Sequence, residues 1–130
     1  MKSRRGSTML EGALVMTTFV ILLIGSMDFG RLGFTYTSVT YAAHQAARFA
    51  ATSGSASGHV ATVATIQANA DSNLVGLSAT GLTVAVTWIP DNKPGSQVQV
   101  VVSYSFKPLV LPIAPGSLTL KSTAVDIITQ

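Results

Sequence analysis

The 130-residue sequence contains no cysteine, which removes thiol nucleophiles, thiolate metal sites and disulfide frameworks together. The absence leaves the redox compartment open, although a chain without thiols is compatible with an oxidising one. Charge is scarce: 10% of residues are charged and 48% hydrophobic, against an average of roughly 25% charged in soluble domains. Some of that apolar surface is therefore expected to face lipid or a partner. Of the eight Lys and Arg, Lys2, Arg4 and Arg5 fall in the first five residues, leaving five basic residues against five acidic ones. The body lacks the basic stripe that a phosphate backbone requires, so nucleic-acid binding is excluded. Proline is missing before Pro90, and nothing in that long stretch breaks a helix through ring geometry.

Catalytic residues are missing as well. His44 and His59 are the two histidines, and without further ligands nearby they read as exposed or hydrogen-bonded imidazoles rather than a metal site. Asp71, Asp91 and Asp126 are isolated, giving no paired carboxylates for acid–base work. No G-x-S-x-G elbow occurs, and Asp28-Phe29-Gly30, which spells a kinase metal-binding tripeptide, has none of the accompanying kinase motifs. The expectation is a non-enzyme with no cofactor.

What is present begins at the N-terminus. From Gly12 to Met27 there is no charged side chain, and Phe19 to Ile24 is continuously apolar. Counted from Met9, about 19 residues at about 1.5 Å each span about 28 Å, close to the hydrocarbon thickness of a bilayer. Lys2, Arg4 and Arg5 flank its start, so a single pass with the N-terminus cytoplasmic and everything after Met27 outside is expected. A cleaved signal peptide is the competing reading, but Gly25-Ser26-Met27 is a poor small-x-small site and helical pattern continues past it.

Glu11 stands out, because a carboxylate in a bilayer-length helix costs roughly 2.5 to 3.5 kcal/mol at mid-membrane. One turn from the end it could also snorkel to the headgroups. Gly6 precedes Ser7, Thr8, Met9, Leu10 and Glu11, so cleavage after Gly6 would make Ser7 the first residue and Glu11 the fifth. A short basic leader ending in Gly, followed by an apolar helix with Glu fifth, resembles the processing site of type IV prepilins. The resemblance implies cleavage by a prepilin peptidase. The new Ser7 amine would then be a cation, and Glu11 of the same or a neighbouring subunit could pair with it.

Beyond the apolar stretch, Leu32, Tyr36, Val39, Ala43, Ala46, Ala47 and Ala50 recur at helical steps, predicting one helix from about Thr8 to Ala51. Asp28 and Arg31, three apart on one face, are expected to form a structural ion pair. The alanine-rich 42–51 patch permits close approach, to the protein's own sheet or to neighbouring subunits. A second helix is expected over about Gly58 to Asn73, with Ser57 as N-cap and Val60, Val63, Ile66 and Ala70 on its buried side. The period then changes to two. Leu82 to Trp88 and Val98 to Phe106 read as hairpin-paired strands around the turn residues 90–96. Residues 107–116 read as an irregular loop, and 117–128 as a third strand with a bulge or bend near Ser122. A three-stranded sheet needs cover, which the second helix and the distal half of the first can supply. The predicted fold is α+β: a long transmembrane helix, a short second helix and a three-stranded antiparallel sheet in the head. The organisation is a leader (1–6), a long helix (7–51, membrane-spanning over about 9–27) and a head (58–130).

Several stretches together resemble the TadE-like family, pseudopilins of the tight adherence (Tad/Flp) pilus. At the front these are Arg5, Gly6, Leu10, Glu11, Ala13, Leu14 and Val15. Next come Met27 to Arg31 and the run Ala42, Ala43, Ala46, Ala47, Arg48 and Ala50, and finally 98–106, Pro108 and 118–125. One departure lies at Thr17 and Thr18, where many members carry a proline that kinks the helix. The resemblance implies a pilin or pseudopilin located in the bacterial inner membrane, passing to a pilus or facing the periplasm. Its implied partners are the membrane, other pilin subunits, the prepilin peptidase, an assembly platform and a secretion ATPase acting through that platform. The alternatives are a non-polymerising single-pass envelope protein with a partner-binding head, and a secreted head freed by signal peptidase.

Overall fold

The computed structural model describes residues 3–108 and 117–129, with side chains from Gly6 onward. The expected irregular loop after Lys107 lies mostly outside the described residues. Helix α1 (Ser3–Thr52) is followed by α2 (Val63–Ser72), a short 3-10 turn at Ala79–Gly81, and strands β1 (Leu82–Ile89), β2 (Gln97–Phe106) and β3 (Leu118–Ile127). The strands form one antiparallel sheet in the order β1-β2-β3. This is the α+β arrangement expected from the sequence.

Helix α1 runs unbroken because no proline intervenes, and in its apolar stretch threonine hydroxyls are satisfied within the helix. Thr17 Oγ1 donates to the Ala13 carbonyl at 2.8 Å and Thr18 Oγ1 to the Leu14 carbonyl at 2.9 Å, which hides both hydroxyls in an apolar stretch. The helix ends where Ser53 N–H closes back on the Ala50 carbonyl and the Ser/Gly-rich run begins.

Helix α2 starts later than its apolar spacing suggests. Thr62, not Ser57, is the N-cap: its hydroxyl accepts from Thr65 N–H at 3.3 Å, and Thr65 Oγ1 accepts from Thr62 N–H at 2.9 Å. This is a capping box with threonine in the place of the usual Glu or Gln. Ser57 instead donates to the Gly54 carbonyl and accepts from His59 N–H, closing a turn. Gly58 has φ +75°, incompatible with a helical start, and Ala61 N–H is committed to Ser53 O at 2.8 Å. Val60 and Val63 are exposed, and Ala61, Ile66 and Ala70 take the buried positions.

The core lies between sheet and helices. Val98, Val100 and Val102 of the central strand, with Leu82 and Val84, pack on Ala43, Ala46, Ala47 and Ala50 of α1 and on Ile66 and Ala70 of α2. Alanines bring the α1 backbone close to the sheet, and burial is nearly complete on both sides. The expected bulge in β3 is absent: pairing runs without interruption from Gln97↔Ile127 to Phe106↔Leu118. Ser122 and Ala124 are the buried residues of β3, whereas Val125 and Ile127 are exposed. The apparent phase change reflects small residues facing the helix and apolar ones facing out, not a shifted register.

The tip of the head is held by backbone bonds from three loops. Thr129 N–H donates to Ala51 O at 3.0 Å, Gly95 N–H to Ile128 O at 2.8 Å and Ser55 N–H to Asn92 O at 3.0 Å. Within the β1–β2 turn, Ser96 Oγ donates to Asp91 Oδ1 at 2.6 Å and Lys93 N–H to the same oxygen at 3.3 Å. The Ser96 hydroxyl, more than the lysine, holds the Asp91 carboxyl below its ordinary value.

Ile66 is fully buried, so Ile66→Ala should lower stability by roughly 2–5 kcal/mol, measured as a shifted urea midpoint in detergent micelles. Because the Asp91 pKa is lowered on folding, its contribution is present above the ordinary aspartate value of 3.8 and fades as pH falls through the folded-state value. In Ser96→Ala the carboxyl should titrate closer to 3.8, seen by carboxyl NMR, and the acid-side loss of stability should shrink.

Candidate processing and assembly segment

Gly6, Ser7 and Glu11 all lie in the first turns of α1 and are exposed. The Gly6–Ser7 bond is within the helix but near its start, where fraying costs least. Gly6 has nothing within 4 Å of where a Cβ would stand, so its value is conformational: glycine lowers helix stability by about 1 kcal/mol relative to alanine. Glu11 has no charged partner among the described residues. The structure does not bring it together with Asp28 and Arg31, which lie more than four helical turns further along the same helix.

The apolar stretch above Glu11 is bare. Met9, Leu14, Met16, Phe19, Ile21 and Leu22 are exposed, and the most apolar stretch of α1 buries nothing inside the chain. No other helix among the described residues is long and apolar enough to cross a membrane. The burial pattern reverses beyond Met27: Asp28, Thr35, Ser38 and Val39 are buried against the head. One helix thus has a naked lower half and a docked upper half.

Asp28 and Arg31 mark the boundary. Arg31 Nη1 lies 3.3 Å from Asp28 Oδ1, with the aspartate side chain 11% exposed and the arginine 49%. The guanidinium also sits 5.7 Å from the centroid of the Phe106 ring at the end of β2, a cation–π distance. Arg31 therefore ties the helix to the sheet at the base of the head. A second tie lies two turns higher, where Ser38 Oγ accepts from Val75 N–H at 3.0 Å. Gly76 follows with φ +68°, a left-handed conformation that favours glycine, and the Phe34 ring lies in van der Waals contact, 3.4 Å from where a Cβ would stand.

Residues 6–48 match the TadE-like protein family model. This relates the chain to proteins of the Tad pilus. The matched segment opens on Gly6, includes Glu11 and the Asp28 to Arg31 stretch, and ends within α1. The TadE-like segment is thus the bare part of the helix together with most of its docked part. The strand residues that resemble the family lie beyond it. No curated protein and no solved structure matches the chain.

Phe106 and Ser38 were not singled out by sequence. Ser38 carried a usable signal, standing four residues before Ala42 and so in phase with the buried alanines. Phe106 did not, because its partner is 75 residues away and only the folded register places them together. A double-mutant cycle with Arg31→Ala and Phe106→Leu should give a coupling of about 0.5–1 kcal/mol, read from unfolding midpoints of the four proteins.

Proposed function

We propose that the chain is a structural pilin or pseudopilin subunit of a Tad-type pilus, cleaved after Gly6 and assembled through the apolar half of α1. The observation that carries this reading is the bare helix surface within the matched TadE-like segment. A stretch of that length with no internal contact requires another apolar environment. The bilayer can supply it before assembly and the helices of neighbouring subunits after it.

In this reading a membrane-embedded prepilin peptidase cuts the Gly6–Ser7 bond on the cytoplasmic face, with Lys2, Arg4 and Arg5 retained there by the charge bias of membrane insertion. The Ser7 ammonium and the Glu11 carboxylate form a charge pair, within one chain or between neighbours. In an apolar bundle such a pair fixes axial register more than it adds stability. The assembly platform and its ATPase draw the subunit outward, and the head faces the periplasm or the filament surface. The subunit needs no cofactor and performs no catalysis.

Intact-mass measurement on membrane and sheared-surface fractions should find a chain beginning at Ser7 in both. A substitution of Gly6 by a bulkier residue such as Val should leave the leader attached. Glu11→Ala should remain membrane-inserted and mostly cleaved but be depleted from the sheared fraction by an order of magnitude or more, on the roughly 3 kcal/mol cost of an unpaired buried charge. Normal filaments from Glu11→Ala would overturn the assembly role. A mature chain still starting at Met1 or Lys2 would favour the non-polymerising envelope protein.

A further inference from the structure

The docked half of α1 keeps a bare back. Between Arg31 and Arg48 the helix carries no charged residue, yet the head covers only part of its circumference: Gly33 and Tyr36 are exposed, and just below them Phe29 is 77% exposed. A helix face turned to water normally carries charge, and this one carries rings. The bilayer does not account for them. With the apolar stretch ending at Met27, Tyr36 stands about 14 Å further along the helix, whereas the polar layer on each face of a bilayer is about 5–8 Å deep.

Phase identifies the occupant. Val15, Leu22, Phe29 and Tyr36 follow one another at seven-residue steps, and Phe19, Ser26 and Gly33 fall between them at the three- and four-residue spacing of a heptad seam. All seven are exposed. The row passes Met27 without losing phase, so one partner covers it on both sides of that level; lipid has no seven-residue repeat, and a packed helix has one. Room for rings is present, since nothing lies within 4 Å of the Cβ position at Gly33. The Ser26 hydroxyl is already bonded to the Leu23 carbonyl at 2.8 Å, which fits it for an apolar seam. A second row, Met27, Phe34 and Tyr41, lies further round the helix, but Phe34 already rests against the loop at Gly76. The rings of Phe19, Phe29 and Tyr36 alone expose roughly 300–450 Å². That is about half of the roughly 800 Å² that each partner contributes to a stable interface, and Val15, Leu22 and the seam's flanks add to it. We infer that this row is the seam along which a second copy of α1 packs, parallel, from Val15 up to Tyr36. The inference rests on the assembly reading proposed above and extends the contact beyond the apolar half of the helix. Parallel packing follows from copies inserted in one direction, and a displacement by one whole heptad keeps the same phase.

The absence of cysteine makes the test clean. Full-length chains carrying Ser26→Cys or Gly33→Cys are reconstituted in phospholipid vesicles, singly and mixed, and oxidised. The expected product is a disulfide-linked dimer, from Gly33→Cys alone if the copies are in register, or from the mixture if they are displaced by one heptad. Thr123→Cys, exposed on the outer face of the sheet, should remain monomeric. Adding Tyr36→Glu should lower the dimer yield roughly tenfold through like charges brought together in the seam, whereas Tyr36→Phe should retain it. Circular dichroism establishes that the variants are folded. Equal cross-linking at Thr123 would mark random collision and overturn the inference, as would a dimer yield indifferent to Tyr36→Glu. A second readout separates the two readings: in cells, Tyr36→Glu should be depleted from the sheared-surface fraction. Its normal presence there sinks this seam and leaves the assembly reading standing; absence of the unaltered chain from that fraction sinks both.

Discussion

The structure depends on one helix having to satisfy two environments. A 50-residue helix carries its own backbone hydrogen bonds throughout, so it can cross apolar surroundings and continue into water without a break. What changes along it is the side chains. Below Met27 they are large, apolar and bare; above, alanines on one face are covered by the sheet and α2. The two halves pose opposite demands, and the rest of the fold answers the upper one.

Alanine is a sound choice for that upper face. It is the strongest helix former and loses no rotamer freedom on burial, so the helix remains stable beyond the apolar stretch while the sheet approaches closely. The volume that alanine does not fill comes from the other side, where Val98, Val100, Val102 and Ile66 are fully buried. Small residues on the helix and branched residues on the central strand form one complementary surface. The same logic places Ser122 and Ala124 on the inward face of β3.

Much of this was legible in the sequence because it rests on local periodicity. The long helix followed from the absence of proline and from the three- and four-residue steps of Leu32 to Ala50. The strands followed from valine alternation. Two expectations failed for identifiable reasons. Ser57 looked like a helix cap because the residues after it fit an apolar period, but Gly58 and the Ala61–Ser53 bond keep residues 58–61 out of the helix. The β3 bulge was inferred by assuming that large apolar residues face the core; here the core side is small and Val125 and Ile127 face outward. At the candidate site, Gly6, Glu11, Asp28 and Arg31 could be picked out because their oddity is local. Phe106 could not, since its contact with Arg31 depends on tertiary placement.

The contacts at the two ends of the head also fix its direction. Ile128 and Thr129 meet the chain at Ala51 and Ser96, while Phe106 meets Arg31. Twenty helical residues and ten strand residues both measure about 30 Å, so β2 lies lengthwise along the upper half of α1. Tension applied to the lower half of the helix would reach the sheet as shear spread over that whole length. It would not peel the head away one contact at a time. A chain pulled by its stem would have to break the helix–sheet seam all at once to lose its head, which is the mechanically resistant geometry.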